Sequence, residues 1–187
     1  MAMLMEELFS RGTMIMGPSR VDPNRQVGVF NMELIGKFPA VRAEQLQSFK
    51  WIAGEWNSAN VVPATNRSPA YTDIGTGAYR FCERDTWICR VDRTGRERPH
   101  ITFDPFSNQW IYLLAEGAYG IMRSPGWTGN QIVFTGRMTM IGVDCDLRQT
   151  WTKTSGDEFS FINEELLADG SWSYVDEWHM SRKVAVV

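Results

Sequence analysis

Residues 158–167, EFSFINEELL, and residues 171–180, SWSYVDEWHM, flank Ala168-Asp169-Gly170, and the pairing of these two runs decides the fold. Asp-Gly is a strong two-residue hairpin signal, because a tight hairpin asks both central residues for positive φ. Pairing Ala168 with Ser171 sets a register in which Leu167 faces Trp172, Glu165 faces Tyr174, Asn163 faces Asp176, Phe161 faces Trp178 and Phe159 faces Met180. Strand side chains alternate with period two, so all ten share one face. The opposite face carries Glu158, Ser160, Glu164, Ser173, Glu177 and His179 and reads as the solvent side. Asn, Asp and Glu among aromatics on an inward face point to a lined cavity more than to a plain core.

The same face extends upstream. A three-residue loop at Ser155-Gly156-Asp157 places Trp151 opposite Phe161, Gln149 opposite Asn163 and Leu147 opposite Glu165. A two-residue loop at Val143-Asp144 brings Met140 next to Leu147 and Met138 next to Gln149. Met138, Gln149, Asn163 and Asp176 then form one row across four strands, the last three a polar belt in an apolar lumen. Register matters here, since a slip of one residue turns a strand inside out.

After Gly54 the chain is β-rich to its end. Candidate strands cover residues 55–62, 74–83, 86–92, 98–104, 109–115, 118–123, 131–141, 145–153, 158–167 and 171–182, separated by turn signals such as Asp92-Arg93-Thr94-Gly95, Asp104-Pro105 and Ser124-Pro125-Gly126. Nearly every connection reads as a hairpin. That predicts an all-β fold, an antiparallel up-and-down β-barrel of about eight to ten strands, wide enough to hold one small ligand. Residues 39–52 form the one good helix candidate: Val41, Leu46, Phe49, Trp51 and Ile52 roughly follow helical spacing, Pro39 sits near the start and Gly54 stops it. Residues 1–37 are irregular and read as an arm packed on the domain or on a neighbouring subunit, a route to a homodimer. Residues 38–187 form the barrel domain.

Composition narrows the partners. The 187 residues carry a net charge of -3 with no block of like charges, which argues against nucleic acid and membrane surfaces. No apolar run reaches the length of a membrane span, and the N-terminus lacks a signal-type apolar core. The three cysteines, Cys82, Cys89 and Cys145, lack metal-type spacing and read as reduced thiols in a cytoplasmic protein, with a Cys82–Cys89 cross-strand bridge as the minority alternative. The arginines at 80, 84, 90, 93, 96 and 98 alternate with acidic residues and read as a solvated, salt-bridged face.

Gly54-Glu55-Trp56, after a short helix and opening the first strand, resembles the Gly-x-Trp signature of the calycin superfamily of lipocalin-like barrels. In such barrels a late arginine packs over that tryptophan and closes one end, so the resemblance implies Arg182 over Trp56. The order Phe103-Asp104-Pro105, Trp110-Ile111-Tyr112, Asp169-Gly170-Ser171-Trp172 and Ser181-Arg182-Lys183 is similar to the DUF1579 group of bacterial proteins of unknown function. The resemblance covers about residues 45–183 and implies a barrel with an internal pocket, but no reaction. Nitrobindin-like haem barrels share the fold class and use a histidine near the C-terminus. His179 has the wrong parity for that role, and His100 has no Cys, Asp or Glu at ligand spacing, so neither cofactor nor metal is expected.

The leading expectation is a small apolar, aromatic molecule bound in the lumen by Met138, Gln149, Trp151, Phe161, Asn163, Trp172 and Trp178. The alternative is a cofactor-independent lyase, isomerase or cyclase acting on an aromatic or terpenoid-like substrate. Asp176, desolvated among Trp172, Tyr174 and Trp178, suits acid/base work, with Glu165 as a second carboxylate and Tyr174 as a donor to a developing oxyanion. In the third reading the barrel is filled by its own side chains and has only a structural role.

Overall fold

The computed structural model of the chain describes residues 40–82, 85–92, 94–115, 118–140 and 142–183. The described residues from Arg42 onward belong to one compact unit. The arm expected over residues 1–37, and the subunit contact assigned to it, lie outside the described residues. A helical segment, α1 at 40–46, tightens into a 3-10 turn at Gln47–Ile52. Eleven strands follow: β1 (Gly54–Val62), β2 (Tyr71–Cys82), β3 (Trp87–Val91), β4 (Glu97–Asp104), β5 (Gln109–Ala115), β6 (Ala118–Ser124), the two-residue β7 (Trp127–Thr128), β8 (Gln131–Met140), β9 (Val143–Lys153), β10 (Glu158–Leu166) and β11 (Trp172–Arg182). All ten predicted strands are present. Apart from β6 and β7, neighbours in sequence pair antiparallel; β1 pairs β11 and β6 pairs β8, so ten strands close on themselves. Gly136 permits that last seam: a Cβ there would collide with the Ile121 carbonyl and Met122 Cα of β6.

The β10–β11 hairpin is built differently from a two-residue turn. The Leu167 N–H donates to the Ser171 carbonyl (2.8 Å) and the Gly170 N–H to the Leu167 carbonyl (2.9 Å), so three residues span the turn. Of these only Gly170 takes positive φ (84°), and Asp169 Oδ1 accepts from the Ser171 amide and hydroxyl. This shifts the register by one: Leu166 pairs with Trp172, Glu165 with Ser173 and Glu164 with Tyr174. A β-bulge at Val175 then restores it, and Asn163↔Asp176, Phe161↔Trp178 and Phe159↔Met180 pair as predicted. The two irregularities cancel below the bulge but not above it. Trp172 and Tyr174, expected in the lumen, are therefore on the outer face, where Trp172 lies under Arg148 (4.5 Å) beside the bidentate Arg148–Glu164 pair.

The β9–β10 register agrees with the prediction, with Trp151↔Phe161, Gln149↔Asn163 and Leu147↔Glu165. The β8–β9 register does not. Val143 and Asp144 lie within β9 rather than in a loop, and Met140 pairs with Val143 and Met138 with Cys145. The even slip keeps every side chain on its predicted face but puts Phe134, not Met138, beside Gln149. The cysteine reading is also corrected. The β2–β3 hairpin brings Cys82 and Cys89 together on its outer face, with Cα atoms 6.0 Å apart and the sulfurs joined, leaving Cys145 as the free thiol among the described residues. No helix among the described residues is long and apolar enough to cross a membrane.

One end of the barrel is plugged. Leu46, Phe49 and Ile52 from α1 and its 3-10 extension are fully buried, as is Trp56. Phe49 packs edge-on to Trp110 (4.9 Å) and close to Trp127 (4.9 Å), and Trp56 packs edge-on to Phe159 (4.8 Å). Arg182 holds this plug in place. Its guanidinium lies 4.3 Å from the Trp56 ring centre and donates to the carbonyls of Trp51, Ala53 and Gly156 and to Asp157 Oδ1. The Trp56 indole adds a bond to the Ile52 carbonyl (2.8 Å). Carbonyls that a helix end leaves without partners are thus capped by the barrel itself. Gly54 is required at this point, since its φ is 133° and a Cβ would overlap Arg182 Nη1. Arg182→Met strips charge-assisted bonds from two part-buried carbonyls, along with the packing over Trp56, and should cost about 3 kcal/mol. A urea midpoint checks this, with Lys183→Ala, which loses only its exposed pair with Glu55, expected to leave the midpoint nearly unchanged.

Candidate functional site in the barrel lumen

Above the plug lies a cavity of about 320 Å³, to which all ten barrel strands contribute side chains. Its size is that of a small-molecule pocket. One wall is aromatic. Trp151 stacks on Phe161 (5.1 Å, 18°), and Phe161 on Trp178 (5.6 Å, 14°), in a near-parallel series across β9, β10 and β11. Met122, Met140, Leu114 and Leu147 supply apolar surface elsewhere.

A polar belt crosses this wall, and its direction is fixed by its ends. The Trp151 indole can only donate, and it donates to Gln149 Oε1 (2.5 Å). Gln149 Nε2 therefore donates to Asn163 Oδ1 (2.7 Å), and Asn163 Nδ2 to Asp176 Oδ1 (2.5 Å). The relay ends on a carboxylate whose Oδ2 has no partner among the described residues and which borders the cavity.

The lumen also holds groups that strand parity concealed. In β4, Ile101 pairs with Ile88 while Pro99 pairs with Cys89, so His100 is the extra residue of a β-bulge. The bulge turns His100 inward beside the Tyr112 ring (4.4 Å) and the Tyr79 ring (6.0 Å), leaving it only 5% exposed. Arg90, opposite Tyr79, lines the cavity too, which corrects its assignment to a solvated face. Burial, reinforced by the Arg90 charge, pushes the His100 pKa down to about 3 against the pull of a hydrogen bond to the Leu113 backbone, so the imidazole is neutral. Burial raises the Tyr79 and Tyr112 pKa values, and both phenols stay protonated. Above them the cavity opens into a wider, more polar depression of about 480 Å³, lined by Arg90, Asp73, Asp92, Thr94, Arg96 and Arg98.

Of the predicted site residues, the structure brings Gln149, Phe161, Asn163, Asp176 and Trp178 to the cavity. Trp151 lies behind it as the stacking support, and Met138 is buried near Gly120 and away from the lining. Glu165 is exposed beyond the belt and pairs with Ser173 rather than Tyr174. Tyr174 and Trp172 are outside, and His179 is exposed on the outer surface near Glu177, as its parity predicts. His100, Arg90, Tyr79 and Tyr112 were missed. Tyr112 was within reach, because it alternates with Trp110 and Leu114 on one face of β5. Bulges leave no such trace, and strict alternation with the apolar Ile101 and Phe103 puts His100 on the outer face. Among the described residues no cluster of His, Cys, Asp or Glu could hold a metal ion.

No protein-family profile matches the chain, and no curated protein sequence does. The fold is similar to that of solved structures. The crystal structure of Rv2717c from M. tuberculosis superposes with a TM-score of 0.50 at 11% identity, covering 75% of this chain and 98% of that one. A redesigned β-barrel aligns over 72% of this chain and 93% of its own at 11% identity, with a TM-score of 0.34. At these identities the likeness to Rv2717c is one of barrel fold alone.

A depressed histidine pKa makes stability pH-dependent. Between the ordinary value of 6.5 and about 3, the unfolded chain binds a proton at this position that the folded chain does not. Stability from this residue is therefore full above 6.5 and is lost as pH falls towards 3. Going from neutral pH to 5, the wild type should lose about 2 kcal/mol more than His100→Gln. Urea midpoints of both proteins across that range provide the check.

Proposed function

We propose that this chain is a calycin-type barrel, akin to the DUF1579 group, that binds a small, mainly apolar and aromatic molecule in its lumen. The single observation that carries the reading is the cavity of about 320 Å³, closed below by the helical plug and walled by the parallel Phe161 and Trp178 rings. Flat ligands stack on such a wall, while the Gln149–Asn163–Asp176 belt offers fixed polar contacts for orientation. Kinship with the calycins is supported by the Arg182 guanidinium over Trp56 beside Gly54. The proposed partner is a small molecule rather than nucleic acid or a membrane surface. With Cys82 and Cys89 joined, the thiol count no longer speaks for the cytoplasm.

A second reading follows from Asp176 Oδ2, which has no partner among the described residues and ends an oriented relay at the cavity wall. There it would serve as the general base of a cofactor-independent lyase, isomerase or cyclase. Asp176→Asn keeps an oxygen for Asn163 and separates the two: a catalyst loses turnover, whereas a binder keeps its affinity.

The neutral dye phenylnaphthylamine tests the binding reading. Its affinity should fall about tenfold in Trp178→Ala, through loss of a large apolar wall, and stay unchanged in Trp172→Ala on the outer face. Equal effects of the two substitutions, measured by fluorescence titration, would sink it.

A further inference from the structure

Arg90 is the lumen's unanswered charge. Its side chain borders both the inner cavity and the mouth, and it is half-buried. No carboxylate among the described residues forms an ion pair with it. Two nearby acids, Asp92 and Asp176, are engaged elsewhere. Asp92 Oδ1 accepts from the Thr94 hydroxyl (2.6 Å), the Thr94 amide (2.9 Å) and the Arg96 amide (3.0 Å), and its Oδ2 lies 3.5 Å from Arg98 Nε. The Thr94 hydroxyl leads these contacts in holding the Asp92 pKa at about 2. Asp176 accepts from Asn163. Removing a guanidinium from water without a counter-ion is costly, and the cost is offset when something else supplies the negative charge.

The groups around Arg90 are those that an anion would meet favourably. Tyr79 and Tyr112 are buried phenols able to donate, and His100 is a neutral ring brought inward by a bulge, a device that re-aims side chains beside functional sites. Arg90 acts electrostatically on all three, so its charge bears on this corner of the lumen. At the mouth, Arg90, Arg96 and Arg98 outnumber Asp73 and Asp92, giving a cationic entrance on a chain of net negative charge.

We propose that the lumen selects an aromatic acid: an organic anion whose flat body stacks along Trp178 and Phe161 and whose carboxylate or sulfonate pairs with Arg90. The pairing is charge-assisted and suits the planar fork of a guanidinium. This rests on the lumen being a binding site and names the chemistry of what enters it. The Asp176 carboxylate also borders the cavity and disfavours a second anionic group on the ligand.

Two dyes with a shared aromatic body form the test: anilinonaphthalene sulfonate, which is anionic, and phenylnaphthylamine, its neutral counterpart. Each is titrated against the full chain at neutral pH. The wild type should bind the anionic dye at least about tenfold more tightly than the neutral one, as expected for one well-made charge pair. In Arg90→Gln the ratio of the two affinities should fall close to one, while Arg90→Lys, which keeps the charge but not the fork, should retain an intermediate ratio. A wild type that favours the neutral dye, or an Arg90→Gln protein with an undiminished preference for the anion, overturns the proposal while leaving the lumen a binding site. Should neither dye bind the wild type, the lumen reading fails along with it. The wild-type comparison stands even if a variant does not fold.

Discussion

The stacking of Arg182 on Trp56 is the constraint from which the rest of the structure follows. Arg182 is the last residue of β11 and Trp56 lies near the start of β1, so their pairing joins the two ends of the β-meander. The same guanidinium ties down the carbonyls of Trp51 and Ala53 and holds the helical segment across the barrel end. One end is thereby sealed by aromatic packing and the other left open. A ten-stranded barrel sealed at both ends would only be a core. Sealed at one end, it becomes a container with a defined mouth, and the direction from plug to mouth is also the direction from apolar to polar lining.

Much of this was legible in the sequence, and the reason is periodicity. Hairpin signals at regular spacing predict all ten strands, and Gly54 with Trp56 points to the closing arginine. Asn163 and Asp176 were found as partners although the Asp-Gly turn is one residue longer than its dipeptide implies. The bulge at Val175 compensates for that extra residue, so the pairing below it is correct and the pairing above it is not. Trp172 and Tyr174 lie on the wrong side of the bulge, which is why they were misplaced. The β8–β9 slip shows the converse: an even error leaves every face intact and only changes neighbours, from Met138 to Phe134 beside Gln149. His100 could not be read at all, since an extra residue in β4 leaves no mark on an alternating pattern. Arg90 was hidden by composition, as one arginine among several mixed with acids.

The lumen combines a directional relay with an unbalanced cation. Running from the Trp151 indole to the Asp176 carboxylate, the relay fixes two amides in single orientations, so the wall presents the same donors and acceptors to any occupant. Near the mouth, Arg90 stands among phenols and an imidazole that burial keeps uncharged. A purely structural interior would pair such a guanidinium with a carboxylate or replace it with an apolar side chain. The Cys82–Cys89 bridge braces the hairpin that carries both Tyr79 and Arg90, fixing these two groups relative to each other.

The central claim, that the open lumen receives an aromatic ligand, is tested most directly by the indole N–H resonances of the eight tryptophans during titration with anilinonaphthalene sulfonate. Trp178 faces the cavity, and Trp151 donates to the belt that lines it, so these two signals should shift. Trp56 and Trp127 in the plug, and Trp172 outside, should not. Shifts confined to Trp172, or a spectrum in which Trp178 stays unmoved while the dye binds, would contradict the account.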